Sequence, residues 1–196
     1  MKFFTLVALL GLSTISSMAT IVNYDTLGSS LCPTAALCGA STSVTIGAVK
    51  VDFSVLATAT VDASPTSFGS FGEIVISCVG GGTACASQSI AGLTLNIKVT
   101  QSAPSGGTGN IAAGTISGTI SGTSSSASIS WPVANSTTIG LVTYSVANSP
   151  LNLTPPTANA GVTSVQARIT VIPEPATYAM LGSALVALGL LRRRKA

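Results

Sequence analysis

The stretch GLTLNIKVT, Gly92 to Thr100, alternates apolar and polar side chains without a break. Leu93, Leu95, Ile97 and Val99 share one phase, and Thr94, Asn96, Lys98 and Thr100 share the other. Successive side chains of a strand point to opposite faces, so this pattern folds as a strand with one buried and one wet face. The same period recurs in VKVDFSV (Val49, Val51, Phe53, Val55), GEIVISCV (Ile74, Ile76, Cys78) and SASISW (Ala127, Ile129, Trp131). It appears again in LVTYSV (Val142, Tyr144, Val146) and VQARITV (Val165, Ala167, Ile169, Val171). These stretches are rich in Val, Ile and Thr, residues that suit a pleated, half-buried surface. No window between Thr20 and Ile172 carries a helical stripe. Phe53, Trp131 and Tyr144 lie on the apolar phase and are expected in the core.

Turn chemistry separates the strands. Gly80-Gly81-Gly82, Pro104-Ser105-Gly106-Gly107, Asn148-Ser149-Pro150 and Pro155-Pro156 all interrupt the alternation. Many short strands with such breaks predict an all-β domain over residues 20–172, an antiparallel β-sandwich of immunoglobulin-like or jelly-roll type. About 150 residues are enough to bury one such core. The local repeat GTISGTISGT, Gly114 to Thr123, is expected to be a weak edge strand or a flexible excursion because of its glycines. Its two repeat units are too few to build a threonine ligand-binding face.

Only 7% of the residues are charged, and five of the eight cations are terminal: Lys2, Arg192, Arg193, Arg194 and Lys195. Between the ends, Lys50, Lys98 and Arg168 face Asp25, Asp52, Asp62 and Glu73, three cations against four acids and a net of −1. Phosphate-dominated binding needs a basic patch, so nucleic acid is not an expected partner. The chain has no histidine, which removes Ser-His-Asp and Cys-His catalysis and the commonest metal ligand. Its glycine-rich loops lack the Lys-Ser/Thr ending of a phosphate cradle. Asp52 and Asp62 read as solvated strand or turn residues rather than an acid/base pair. The chain is therefore expected to be no enzyme, with no catalytic residue, cofactor or metal. Phe68 and Phe71 in SFGSFGE are expected on a loop, and they are the candidate ligand contacts if the domain is instead a polysaccharide-binding module. A secreted hydrolase is the remaining alternative, disfavoured by the scarcity of acids.

The N-terminus reads as a secretory signal peptide over residues 1–19, which makes the secretion translocon a partner. Lys2 gives the positive start and Phe3 to Leu12 the apolar core. Ser17 and Ala19 are the small residues of a cleavage site that would leave Thr20 first. Export favours disulfides among the four cysteines. Three pairings are formally open; Cys32–Cys38 and Cys78–Cys85 are expected because each pair brackets a turn-prone stretch, PTAAL and VGGGTA. A zinc site is disfavoured by the spacing and by the missing histidine.

The C-terminus reads VIPEPATYAMLGSALVALGLLRRRKA. Residues 176–191 carry no charge and would span about 24 Å as a helix, short of the roughly 30 Å hydrocarbon core. Arg192, Arg193, Arg194 and Lys195 can compensate by snorkelling, and as stop-transfer cations they keep this end cytoplasmic and the domain outside. A single membrane helix over 176–191 is therefore expected, with a transient membrane association. Pro173 and Pro175 should keep residues 173–175 extended and accessible.

The order Pro173-Glu174-Pro175, short apolar helix, arginine-rich end resembles the PEP-CTERM sorting signal of Gram-negative bacteria, over roughly the last 25 residues. The resemblance implies recognition by exosortase, a membrane transpeptidase-like protease, and cleavage at or near the motif. It further implies an inner-membrane-anchored precursor, then a protein at the cell surface or outside the cell. An association with exopolysaccharide or biofilm also follows from the resemblance alone. Proteins of this kind share the tail and not the domain, so the tail leaves the activity of the β domain open.

Overall fold

The computed structural model describes residues 20–33, 39 and 41–172, with six further positions between 182 and 192. In chain order the strands are β1 (Thr20–Asp25), β2 (Ser30–Cys32), β3 (Ser43–Ile46), β4 (Val49–Val55) and β5 (Ala59–Ala63). They continue as β6 (Thr66–Cys78), β7 (Gln88–Ala103), β8 (Gly107–Ile120), β9 (Ser128–Ser130) and β10 (Ser136–Ile139). The last three are β11 (Val142–Val146), β12 (Leu151–Asn152) and β13 (Val162–Val171), with a 3-10 turn at Asn159–Gly161 before β13.

The domain is all-β, as the alternation predicts. Its strands form two antiparallel sheets curled as half-barrels. One sheet has the order β12-β9-β8-β7-β1-β5, with β2 also pairing to β7. The other has the order β10-β11-β13-β6-β4-β3. Thr26, fully buried, ties the two together: its hydroxyl donates to the Phe71 carbonyl at 3.0 Å and accepts from the Leu56 amide at 2.8 Å. The Tyr24 hydroxyl adds a second tie, donating to the Ser70 carbonyl at 2.7 Å.

The inward phases meet between the sheets. Val22, Tyr24, Leu95, Ile97 and Val99 from the first sheet pack with Val51, Phe53, Ile74, Tyr144 and Ile169 from the second. Burying each such large side chain favours the fold by about 1.5–3 kcal/mol, which makes this core the main source of stability. Phe53, Trp131 and Tyr144 are all core residues, as their phase predicts.

The GTIS repeat is not an edge or a loop. Gly114 to Ile120 form the second half of β8, an inner strand hydrogen-bonded to β7 on one side and β9 on the other. Ile116 and Ile120 are fully buried. Both glycines have a packing reason. A Cβ on Gly114 would lie 2.6 Å from the Trp131 ring nitrogen, and Gly118 (φ 125°) lies against Ala127, where a Cβ would come within 2.5 Å of that Cα. The glycines let β8 pass under Trp131 and the Ser126-Ala127 backbone.

Cys78 and Cys85 form a disulfide, at the end of β6 and in the loop before β7. Cys32 in β2 is also disulfide-bonded, and its expected partner Cys38 lies outside the described residues. The signal-peptide residues Ser17 and Ala19, the motif residues Pro173, Glu174 and Pro175, and Arg193, Arg194 and Lys195 lie outside them too. Gly182, Ala184, Leu185, Leu188, Gly189 and Arg192 are helical positions. Among the described residues no helix is long and apolar enough to cross a membrane, and the span expected over 176–191 falls mostly outside them.

Candidate functional site

Two places in the fold are suited to meeting other molecules: the end from which the tail leaves, and the outer face of the sheet that carries it.

The tail leaves from β13, an inner strand between β11 and β6. Its exit is held on both sides. The Val171 amide donates to the Pro65 carbonyl at 2.8 Å, and the Ile172 amide donates to the Leu141 carbonyl at 2.8 Å. Pro173 is therefore the first residue after a fixed backbone, with no linker between the fold and the motif. The other end of the domain starts at the same pole. Thr20 opens β1 and pairs with Ala63, which is two residues before the Pro65 that holds Val171. Ile21 and Ile172 are both exposed there, at 59% and 49%.

The outer face of the β10-β11-β13-β6 strands carries the polar phase of each; β11 and β13 are legible from their alternation, whereas β10 and the Thr66–Ser70 part of β6 are not. Thr138 lies opposite Thr143, Thr143 opposite Thr170, and Thr170 opposite Thr66. Four threonines thus form one row across four strands, roughly 14 Å long at ~4.8 Å per strand. Hydroxyl pairs fix the row at both ends: Thr138 to Thr143 at 3.0 Å, and Thr66 to Thr170 at 3.2 Å. The next row holds Ser136, Ser145, Arg168 and Phe68 in the same register. Beyond it, Gln166 faces Ser70 and accepts from the Asn148 side-chain amide at 3.0 Å.

Phe68 is on this face and 66% exposed, but on strand β6 rather than on a loop. Phe71 corrects the expectation of a paired aromatic contact: it is fully buried. Residues three apart on a strand face opposite ways, and a bulge then resets the phase. Val165 pairs with Gly72 while Gln166 pairs with Ser70, which leaves Phe71 as the extra residue. Gly72, at φ 126°, supplies the bend. The bulge lets Phe71, Ile74 and Ile76 all point inward.

Asp52 and Asp62 are not brought together. Asp52 is on β4, ion-paired with Lys50 at 2.9 Å, whereas Asp62 is on β5 in the other sheet. Among the described residues no three His, Cys, Asp or Glu side chains gather as a metal site. A shallow groove of about 320 Å³, lined by Pro33, Val44, Ile46 and Leu93 among others, holds no titratable side chain. The buried tyrosines titrate late: burial pushes Tyr24 up to about 12 and raises Tyr144 further.

In the sequence Arg168 stands out only in the charge balance, and nothing links the four threonines. Arg168, Thr170 and Thr143 hold the outward phase of VQARITV and LVTYSV, whereas Thr138 and Thr66 lie outside both stretches.

Comparison with known families places a match at the tail. The family model described as "PEP-CTERM protein-sorting motif" matches residues 171–195. No curated protein and no solved structure matches the chain. The match begins at Val171, the residue held by Pro65, so the motif starts in the last position of β13. The chain thus carries a PEP-CTERM sorting motif, the mark of an exported, surface-directed protein processed by exosortase.

Proposed function

We propose that this is a non-enzymatic surface or matrix protein: a β domain exported through the translocon, held briefly in the inner membrane and cut free near Pro173-Glu174-Pro175. It is then displayed at the cell surface or released, in association with exopolysaccharide or biofilm. The carrying observation is the matched motif at 171–195, which starts on the last residue of an inner strand. With Thr20 and Ile172 at one pole, both terminal segments can reach the same membrane face while the domain stays folded. The membrane helix over 176–191, with Arg192, Arg193, Arg194 and Lys195 on the cytoplasmic side, would hold the motif at the outer surface of that membrane. The test is fractionation of a host with and without its exosortase. Loss of the enzyme should leave a full-length tail in the inner-membrane fraction; unchanged release would contradict the proposal.

The second reading, a secreted polysaccharide-binding module, is favoured by one specific observation, the exposure of Phe68 on a hydroxyl-lined sheet. The third, a secreted hydrolase, has less support because its two candidate acids sit in different sheets.

A further inference from the structure

We infer that the outer face of β10-β11-β13-β6 binds an acidic polysaccharide, a polymer of uronate-type sugars, with Phe68 and Arg168 as its main contacts. This develops the polysaccharide reading above by naming the face and the sugar chemistry.

Phe68 is the first observation. It is 66% exposed, while the other aromatic side chains among the described residues, Tyr24, Phe53, Phe71, Trp131 and Tyr144, are at most 7% exposed. A ring left in water on a paired strand forgoes the burial that its five counterparts obtain. Its neighbours on the same face of β6 are the short Thr66 and Ser70, so the ring stands above a floor of hydroxyls. The apolar C–H face of a sugar ring can pack on such a surface.

Arg168 is the second. It lies directly opposite Phe68, is exposed, and has no ion-pair partner: the ion pair present among the described residues is Lys50–Asp52. The acid on its side of the face, Glu73, is opposite Ser164, four residues away along β13. A free guanidinium fork matches a carboxylate with two parallel hydrogen bonds, which selects an acidic sugar over a neutral one.

The third is the threonine row. Each hydroxyl offers one donor and two acceptor positions, and the Oγ–Oγ pairs use only part of that capacity. The row is open and extended, which suits a polymer better than a small molecule held in a pocket. A protein partner would call for an apolar centre. The two rows hold one apolar side chain among hydroxyls and a cation.

The test uses the protein purified after export from its host, titrated calorimetrically at low ionic strength with polygalacturonate, its methyl ester and dextran. Polygalacturonate should bind, and the ester and dextran at least about tenfold more weakly. Phe68→Ser and Arg168→Gln should each weaken polygalacturonate binding about tenfold while melting as the wild type does, tenfold being the loss of one good contact. Lys98→Gln, on the other sheet, should bind as the wild type. Four results would overturn the inference: no binding to polygalacturonate, equal binding to dextran, wild-type affinity in Phe68→Ser, or a Phe68-dependent dimer by sedimentation. Tail processing is read separately by mass in the same samples. Normal processing without polygalacturonate binding would therefore sink this inference and leave the sorting account intact.

Discussion

The Tyr144 hydroxyl donates to the Gln101 side-chain carbonyl at 2.7 Å, joining β11 of one sheet to β7 of the other. The Gln101 amide nitrogen in turn donates to the Ser105 carbonyl at 2.6 Å, and the Tyr144 ring meets the Tyr24 ring edge-on at 5.5 Å. Each polar atom of this buried chain is thus paired where the core would otherwise penalise it. Tyr144→Phe would leave the Gln101 carbonyl buried without its donor. The expected loss is about 1–3 kcal/mol, read as a lower urea midpoint. Adding Gln101→Leu should cost less than the two single losses summed; strict additivity would show that the pair is not coupled.

Alkaline stability should follow the same tyrosines. The Tyr24 phenol titrates near 10.0 in an open chain and near 12 in the fold, raised chiefly by burial. The fold accepts the neutral form, so the Tyr24 contribution is complete below pH 10 and is lost as pH rises through 12. Tyr24→Phe should flatten the fall of melting temperature across that window. An identical fall in the variant would remove Tyr24 as its cause.

The Cys78–Cys85 bridge closes a loop of sequence separation 7 that contains the triple glycine Gly80-Gly81-Gly82. Chain entropy gives it about 2.5 kcal/mol. Cys78→Ala with Cys85→Ala should lower the melting temperature without changing the circular dichroism of the sheets. Unchanged melting would mean that the loop contributes nothing to the unfolding transition.

Gly118→Ala tests the path of β8 under Ala127. The left-handed backbone and the missing room together should cost about 1–3 kcal/mol in chemical unfolding. Wild-type stability would mean that the Ser126-Ala127 backbone yields freely.

Much of this fold is legible in the sequence, and each departure from it has its own physical cause. Leu93, Leu95, Ile97 and Val99, or Val165, Ala167 and Ile169, announce their strands because nothing interrupts the period of two. Bulges break that period. Phe71 lies three residues before Ile74, out of phase with Ile74 and Ile76, and only the bulge that leaves it unpaired turns all three inward. The GTIS half of β8, an inner strand, reads as a weak edge strand or an excursion for a different reason. Its glycines at 114 and 118 look like weakness in sequence, but they are the contact points for Trp131 and Ala127. Strand order is a different matter, since alternation states which side is buried and not which neighbour pairs. The sorting motif was legible because its parts are contiguous. The row Thr138-Thr143-Thr170-Thr66 was not, because only the register brings those four together.

The sorting account is tested most directly by the intact mass of the protein recovered from the surface or medium of its native host. It predicts a chain that begins near Thr20 and ends near Pro175, with Arg192, Arg193, Arg194 and Lys195 gone. A mature mass that retains those four cations would contradict it and make the C-terminal segment a permanent anchor.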